Sequence, residues 1–175
     1  ETIIINDGSS ELSSNLLQKI LSKNKFNKIK YFKIKNSGVS KAKNFGLSKA
    51  LGKYIWFLDS DDYLIKNWST KIYKAINYSQ KSDVIALDFL RFLGGKEENV
   101  PWLTHFCQDG HYNYENYVDC WYNIGNNYQY IFRRNFLIKN NIKFVEKLNI
   151  AEDALFNIEA FIKANNIFAY REPVY

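Results

Sequence analysis

The first 58 residues alternate between short apolar runs and segments whose apolar residues recur at helical spacing. The apolar runs at 2–6, 29–34 and 54–58 are each followed by polar or turn-forming residues, which predicts buried strands. Between these runs, 12–21 and 39–51 carry apolar residues three or four positions apart, which predicts helices. This order of strand, helix, strand, helix and strand predicts an α/β fold with a mostly parallel sheet flanked by helices.

The rest of the chain continues the same two patterns around one irregular segment. The predicted elements are a helix at 67–79, a strand at 83–92, a helix at 114–124, a strand at 128–132 and helices at 135–140 and 151–164. Between 94 and 110 the periodicity fails, which predicts a long loop. The last helix should bury the face formed by Leu155, Ile158, Phe161 and Ile162.

The positive charge of the chain comes mainly from lysine. The net charge is +6, and seven lysines lie between positions 19 and 35, interleaved with polar residues. A nucleic-acid-binding protein would concentrate this charge in one stripe or motif, so we expect a solvated basic surface and no nucleic-acid partner. The alternative is attraction to an anionic membrane surface or to a phosphate-rich substrate.

Length, cysteine content and apolar runs restrict the class of protein further. A chain of 175 residues with this mix of aromatic, aliphatic and charged residues predicts one compact globular domain. Its two cysteines lack CxxC spacing, which favours a reducing compartment over a disulfide scaffold or a thiolate metal site. The longest apolar runs, 54–58 and 84–90, are far shorter than the roughly 18 to 20 residues that span a bilayer, so we expect no transmembrane helix.

Three carboxylates follow the third predicted strand directly. Asp59, Asp61 and Asp62 are close in sequence, and like charges this close are unfavourable unless exposure or a cation relieves them. Oxygen ligands of this kind suit Mg²⁺ or Mn²⁺, which are usually shared with substrate phosphates. The alternative is a solvated acidic turn ahead of the helix at 67–79. Because Asp7 and Asp59 each follow a strand, we expect both carboxylates at the same edge of the sheet.

Two other motifs share part of this pattern. A calcium-binding EF-hand loop beginning at Asp59 would need Gly at its sixth position and Glu at its twelfth, where this chain has Leu64 and Thr70. The EF-hand interpretation is therefore excluded. An aspartate-based phosphatase also places a carboxylate nucleophile after a strand. That strand is normally the first rather than the third, and Thr or Val normally stands where this chain has Tyr63, so the phosphatase is a weaker alternative.

Three segments resemble a known set of motifs. Residues 3–9, I-I-I-N-D-G-S, resemble V-D-D-G-S; residues 36–46, N-S-G-V-S-K-A-K-N-F-G, resemble N-x-G-x-S-x-A-R-N-x-G; and residues 54–62, Y-I-W-F-L-D-S-D-D, resemble Y-I-x-F-L-D-S-D-D. In this order, and with the later pair Glu152 and Asp153, they resemble the family 2 glycosyltransferases of the GT-A fold. The resemblance extends over nearly the whole chain and is firmest up to about Leu64 and again from 132 to 175.

The resemblance implies a role for each matching residue on the donor side. Asp7 matches the acid that hydrogen-bonds the nucleotide base, usually uracil, since a carboxylate accepts a bond from an imide N–H. Asp59 matches the residue near the ribose, Asp61 matches the metal ligand that bridges to the diphosphate, and Asp62 supports it. The implied ligands of Mn²⁺ or Mg²⁺ are thus Asp61, Asp59 and Asp62. Further nucleotide contacts are implied for Gly8, Ser9, Asn36, Lys43, Asn44 and Ser60.

On the acceptor side, the resemblance assigns catalysis to Glu152 and Asp153. The second acid of this pair deprotonates the acceptor hydroxyl, so Asp153 is the candidate general base. The implied reaction is a single displacement that inverts the anomeric carbon, while the metal neutralises charge on the departing nucleoside diphosphate. Without the resemblance, two acids in the first turn of a helix would be ordinary N-terminal residues.

The resemblance also implies a donor, an acceptor and a location. The donor would be a UDP-sugar and the acceptor a glycan or a lipid-linked sugar, with a hexose or an N-acetylhexosamine transferred. We expect 1–93 to form the nucleotide-sugar-binding part of a single GT-A domain and 94–175 the acceptor-side part. A composition rich in Lys, Asn and Ile is typical of an AT-rich bacterial genome, which favours polysaccharide synthesis in the cytoplasm, with peripheral association at the inner membrane face. The alternative is a non-catalytic nucleotide-sugar or glycan-binding module of the same fold.

Two features depart from the family pattern. Lys43 stands where the family usually has Arg, so a bidentate phosphate contact would become a contact with a point charge. The family's first strand, with its P-x-Y-N end, would precede Glu1, and members continue beyond Tyr175. We therefore expect the chain to be a fragment that binds the nucleotide poorly or is inactive by itself.

Aromatic and histidine side chains in the middle of the chain are weaker candidates. Six aromatic residues could stack on sugar rings, although core packing accounts for them equally well: Trp102, Tyr112, Tyr114, Tyr117, Trp121 and Tyr122. His105 and His111 match no motif position. We expect both at the surface, with a metal site as the less favoured alternative.

Overall fold

A computed structural model describes residues 1–23, 28–93, 96–98, 108–118, 126–148 and 150–175. The chain folds into two compact units. The first unit consists of Glu1–Gly52 and Lys143–Glu152. The second unit consists of Lys53–Ile142 and Asp153–Tyr175.

The first unit contains the strand and helix alternation predicted for the start of the chain. Strand β1 (Thr2–Asp7) pairs in parallel with β2 (Ile29–Ile34). Helix α1 (Glu11–Lys23) lies between them in sequence, and α2 (Val39–Lys49) follows β2. Ser10 immediately precedes α1 and caps it, because its hydroxyl accepts a hydrogen bond from the backbone N–H of Ser13 in the first turn. These four elements confirm the prediction made from apolar spacing.

The second unit is built on a five-stranded sheet in the order β3-β8-β4-β9-β7. Its strands are β3 (Tyr54–Trp56), β4 (Val84–Asp88), β7 (Gly110–Tyr112), β8 (Tyr130–Arg133) and β9 (Ile167–Pro173). Strands β4 and β9 are parallel, whereas β3 and β4 both run antiparallel to β8, and β7 runs antiparallel to β9. This sheet is therefore mixed, where we expected a mostly parallel one. Apolar spacing marks a strand but carries no information on its direction.

The remaining described elements of the second unit are short strands and helices. They are α3 (Trp68–Tyr78), β5 (Arg91–Leu93), β6 (Lys96–Glu98), α4 (Tyr114–Val118), a 3-10 helix (Asn127–Gln129), α5 (Arg134–Lys139) and α6 (Glu152–Lys163). The first residue of α6, Glu152, is counted with the first unit. The strand expected at 83–92 is interrupted after Asp88, and its pairing with β9 shifts register between Leu87 and Asp88. The segment expected to be a loop contains β6, which pairs with β5. No helix within the described ranges is long and apolar enough to span a membrane.

Aromatic side chains dominate the core of the second unit. Phe156 and Phe161 of α6 pack edge to face against Phe132 and Tyr130 of β8, with ring centroids 5.2 and 4.9 Å apart. The buried face of α6 thus differs from the predicted one, since Leu155 is 40% exposed and Ile162 is 57% exposed. The aromatic partners on β8 determine which face of the helix turns inward.

Candidate active site

Asp7 lies at the end of β1 and holds the turn that leads into α2. Its two carboxylate oxygens accept hydrogen bonds from the backbone N–H groups of Ser37 and Gly38, each at 2.9 Å. A carboxylate has about four lone-pair positions, so these bonds leave capacity for another donor. The predicted contact between Asp7 and an imide N–H of a base is compatible with this geometry.

Gly8 lets the end of β1 approach the segment before α2 closely. Its φ angle is +77°, and a Cβ atom at this position would lie 2.7 Å from Cβ and 2.8 Å from the backbone nitrogen of Asn36. Real Cβ contacts are not this short, so any larger residue would displace Asn36. Gly8 is therefore required for the packing that brings Asp7 and Asn36 together.

Replacing Gly8 with alanine is expected to destabilise the first unit through both backbone strain and this close contact. Gly38→Ala is the matched control, because Gly38 also has a positive φ, +91°, but a Cβ there would meet nothing within 4 Å. The control should lose about 1 to 3 kcal/mol of unfolding free energy, and Gly8→Ala should lose about 1 to 3 kcal/mol more. Urea denaturation measures both, and an equal or smaller loss for Gly8→Ala would contradict the packing argument.

Asn6 fixes the turn between β1 and α1, a role that the sequence did not reveal. The buried amide nitrogen donates to the hydroxyls of Ser14, at 2.9 Å, and Tyr31, at 2.8 Å, while the amide oxygen accepts from the backbone N–H of Ser9 at 2.8 Å. The family motif has a carboxylate at this position, and an ionised carboxylate could not donate these bonds. Asn in place of the motif's Asp at position 6 was the one sequence feature that could have indicated this role.

Asn44 and Lys43 contact Phe144, which lies in the second segment of the first unit, Lys143–Glu152. The amide of Asn44 pairs with the backbone of Phe144, donating to its carbonyl oxygen and accepting from its N–H, both at 2.9 Å. The Lys43 ammonium lies 5.4 Å from the centre of the Phe144 ring. These contacts give both residues a structural role, and their contacts with a nucleotide stay predictions.

In the second unit, β3 ends at Trp56, and the acidic loop, residues 59–62, follows. The hydroxyl of Tyr175 connects the two ends of this loop. It accepts a hydrogen bond from the backbone N–H of Asp59 at 3.1 Å and donates to the Asp62 carboxylate at 2.9 Å. Asp61 is exposed and makes no hydrogen bond or ion pair with any residue that the structure describes. The loop thus has fixed ends and presents Asp61 to solvent.

Tyr175 is held firmly by its neighbours. Its ring stacks on that of Tyr128, with centroids 4.5 Å apart and planes at 22°, and its carbonyl oxygen accepts from the N–H of Leu90 at 2.7 Å. Burial raises the pKa of its hydroxyl above the ordinary value, so the hydroxyl stays protonated and can donate to Asp62. No local pattern could reveal this contact, because Tyr175 and Asp62 are 113 residues apart.

The three carboxylates of the acidic loop do not form a metal-binding cluster by themselves. Within the described ranges, no three His, Cys, Asp or Glu side chains lie close enough together to hold a metal ion. Mg²⁺ bound with a nucleotide usually takes one or two carboxylates plus phosphate and water oxygens. The exposed carboxylate of Asp61 fits that requirement, whereas one oxygen of Asp62 is engaged by Tyr175. The ligand roles of Asp59, Asp61 and Asp62 stay predictions.

Glu152 and Asp153 form the first turn of α6, as expected, and both are half-buried. The Asp153 carboxylate accepts two hydrogen bonds from Asn127, one from the side-chain amide at 2.9 Å and one from the backbone N–H at 3.3 Å. Asn127 begins the 3-10 helix before β8 and is buried. No local sequence pattern indicates this contact, which joins residues 26 positions apart.

The histidine and aromatic candidates have ordinary structural roles where they are described. His111 on β7 is exposed, as expected, and its Nδ1 lies 2.9 Å from the side-chain oxygen of Asn166. The hydroxyl of Tyr112 bonds to the backbone of Gln108. Trp102, His105, Trp121 and Tyr122 lie outside the described residues, as does the side chain of Tyr117.

Together, the fold and these motifs are those of the GT-A type. Residues 1–163 match the glycosyl transferase family 2 domain. The chain therefore belongs to glycosyl transferase family 2, which confirms the family and the fold predicted from the three motifs.

Two curated relatives match almost the full chain. EpsJ of Bacillus subtilis, described as an uncharacterized glycosyltransferase, is 26% identical over 187 residues, which covers 100% of this chain and 51% of EpsJ. A cholesterol galactosyltransferase of Borreliella burgdorferi is 26% identical over 178 residues, which covers 95% of this chain and 48% of the relative. The chain thus spans about half the length of these relatives.

Solved structures of Staphylococcus aureus TarS have the same fold. TarS is a poly(ribitol-phosphate) β-N-acetylglucosaminyltransferase. Its 1–349 structure superposes with a TM-score of 0.81 at 26% identity, covering 100% of this chain and 50% of that one. The complex with UDP-GlcNAc gives a TM-score of 0.80 at 26% identity, covering 100% and 48%.

Proposed function

We propose that this chain provides the donor-binding and catalytic groups for metal-dependent transfer of a sugar from a UDP-sugar to a hydroxyl group, with inversion. The observation that carries the proposal is the carboxylate of Asp61, exposed and unpaired among the described residues, in a loop whose ends are fixed by Tyr175. The similarity in fold to TarS, which has been solved with UDP-GlcNAc, supports a nucleotide-sugar as the donor.

On the donor side, we assign recognition of the base to Asp7 and contact with the ribose to Asp59. Gly8, Ser9, Asn36, Lys43, Asn44 and Ser60 complete the proposed nucleotide contacts. Asp61 would hold Mn²⁺ or Mg²⁺, with Asp59 and Asp62 in support, and the bound ion would supply Lewis-acid stabilisation of the departing diphosphate. Lys43 adds a point positive charge where the family usually has a planar guanidinium.

On the acceptor side, Asp153 removes the proton from the attacking hydroxyl, and Glu152 is assigned to the same catalytic pair. The new bond forms between the acceptor oxygen and the anomeric carbon. At the same time the bond from this carbon to the diphosphate oxygen breaks, and its electron pair leaves with UDP. Because attack and departure occur on opposite faces of one carbon, a single displacement inverts its configuration and needs no covalent enzyme intermediate.

The acceptor is proposed to be a glycan or a lipid-linked sugar, with a hexose or an N-acetylhexosamine transferred. We propose that this reaction serves bacterial polysaccharide assembly and takes place in the cytoplasm, with peripheral association of the protein at the inner membrane face. The basic character of the chain, with a net charge of +6, favours an anionic surface of this kind.

Calorimetric titration with UDP tests the donor side of the proposal. With Mn²⁺ present, the protein should bind UDP, and excess EDTA should weaken that binding by about tenfold or more, which corresponds to about 1.4 kcal/mol. Equal affinity in Mn²⁺ and in EDTA would contradict metal-dependent binding. If the full-length protein binds UDP but releases no UDP from any UDP-sugar offered with acceptors, the non-catalytic module is the better description.

A further inference from the structure

Asn127 makes a two-point contact with the carboxylate of Asp153. The side-chain amide donates to one carboxylate oxygen at 2.9 Å, and the backbone N–H of the same residue is 3.3 Å from the other. Asn127 therefore donates to both carboxylate oxygens of Asp153. The carboxyl plane of an aspartate has only a weak intrinsic torsional preference, so two donors at fixed positions determine its orientation.

Asn127 is a polar residue in a fully buried position. It is 1% exposed, and its side-chain amide donates to the carboxylate of Asp153 at 2.9 Å. Burying an amide group is costly unless it is hydrogen-bonded, and an apolar side chain of similar volume would need no such bond. Among the described residues, Asp153 is the only hydrogen-bond partner of the Asn127 side chain, and the amide oxygen has none.

The backbone around Asn127 also supports a fixed donor pair. Asn127 starts the 3-10 helix that leads directly into β8, and all but the last residue of β8 are buried. Strand β8 pairs with β3 on one side and β4 on the other. The donor groups therefore lie three residues before one of the inner strands of the sheet, and the pairing of that strand restrains their position.

We propose that Asn127 is a positioning residue for proton transfer, which fixes the carboxyl plane of Asp153 toward the acceptor hydroxyl. This inference rests on the proposed function, in which Asp153 is the general base. Asn127 itself touches neither substrate nor reacting atoms, and its effect on the rate passes entirely through Asp153.

Two variants test the inference in the full-length protein. Asn127→Ala and Asn127→Leu both remove the amide donor, and the leucine variant preserves the buried volume. Each should lower kcat about 10-fold to 100-fold, as expected for a misplaced reacting group. The KM for the UDP-sugar and the Kd for UDP should change less than twofold, since the donor side is untouched. Asn140→Ala, which removes one amide bond of 3.0 Å to the backbone of α5, is the matched control and should leave kcat unchanged.

A double-mutant comparison separates positioning from general destabilisation. In an Asp153→Asn background, Asn127→Ala should produce no further loss of kcat, because its route of action has already been removed. An additional loss of the same size in that background would overturn the inference, as would unchanged kcat for both single variants at position 127. If Asp153→Asn turns over normally, the proposed base is wrong, and this result is distinct from failure of the positioning role.

Discussion

Asp153→Asn is expected to reduce kcat by about 10²-fold to 10⁴-fold while the affinity for UDP changes less than twofold. General bases contribute rate factors of this size, and asparagine keeps the shape of the side chain without its ability to accept a proton. Asp153 lies in the first turn of α6, whose core contacts are made by Phe156 and Phe161, so the helix should remain packed. The rate of UDP release at saturating substrate gives kcat, and calorimetric titration gives the affinity for UDP.

Glu159→Gln is the matched control for this substitution. Glu159 is an acid on the same helix, and its carboxylate pairs with Lys163 one turn later at 2.6 Å. Neutralising it removes a surface ion pair of small energetic value and should leave kcat unchanged. Near-normal turnover by Asp153→Asn would remove Asp153 from the mechanism. A similar loss in both variants would attribute the effect to the charge of α6 rather than to one base.

Asp61→Ala is expected to abolish the contribution of the metal to nucleotide binding. In Mn²⁺ the variant should bind UDP no better than the wild type does in EDTA, a loss of about tenfold or more. Stability should not change, since Asp61 is exposed and has no hydrogen bond or ion pair to any described residue. Calorimetry with Mn²⁺ and with EDTA gives the four affinities, and thermal unfolding checks the fold.

Glu115→Ala controls for the loss of an exposed negative charge. Glu115 is an exposed acid in the first turn of α4. Its removal should leave the difference between Mn²⁺ and EDTA intact. Should Asp61→Ala also retain that difference, the ion is held by other groups, and Asp61 is only part of a solvated acidic turn.

The parts of the fold that sequence predicted are those with a complete local pattern. Strands β1 and β2 and helices α1 and α2 have their own apolar spacing and their own terminating residues, so their positions follow from nearby residues. Strand β9 was missed although residues 167–170 form a short apolar run of the kind that predicts a strand, and all four are buried. The direction of β8 and the buried face of α6, in contrast, depend on partners distant in the chain.

The same distinction separates the predicted and missed residues of the candidate site. Asp7, the acidic loop and Asp153 lie in short motifs that can be compared letter by letter with a family. Asn127 and Tyr175 lie in no such motif, and they act on acids 26 and 113 residues away. Asn127 and Tyr175 can be recognised only in the folded chain, because burial and strand pairing bring each of them to its carboxylate.

The two hydrogen bonds of the Tyr175 hydroxyl, to Asp59 and to Asp62, affect how chimeric proteins of this family should be designed. If the segment D-S-D-D were copied into a related scaffold, it would carry its charges but not its conformation. The conformation depends on the hydroxyl of Tyr175, which is more than 100 residues away in sequence. Chimeras of family members should therefore exchange the loop and its tyrosine as one cassette, and a crossover placed between them would separate two pieces that function as a pair.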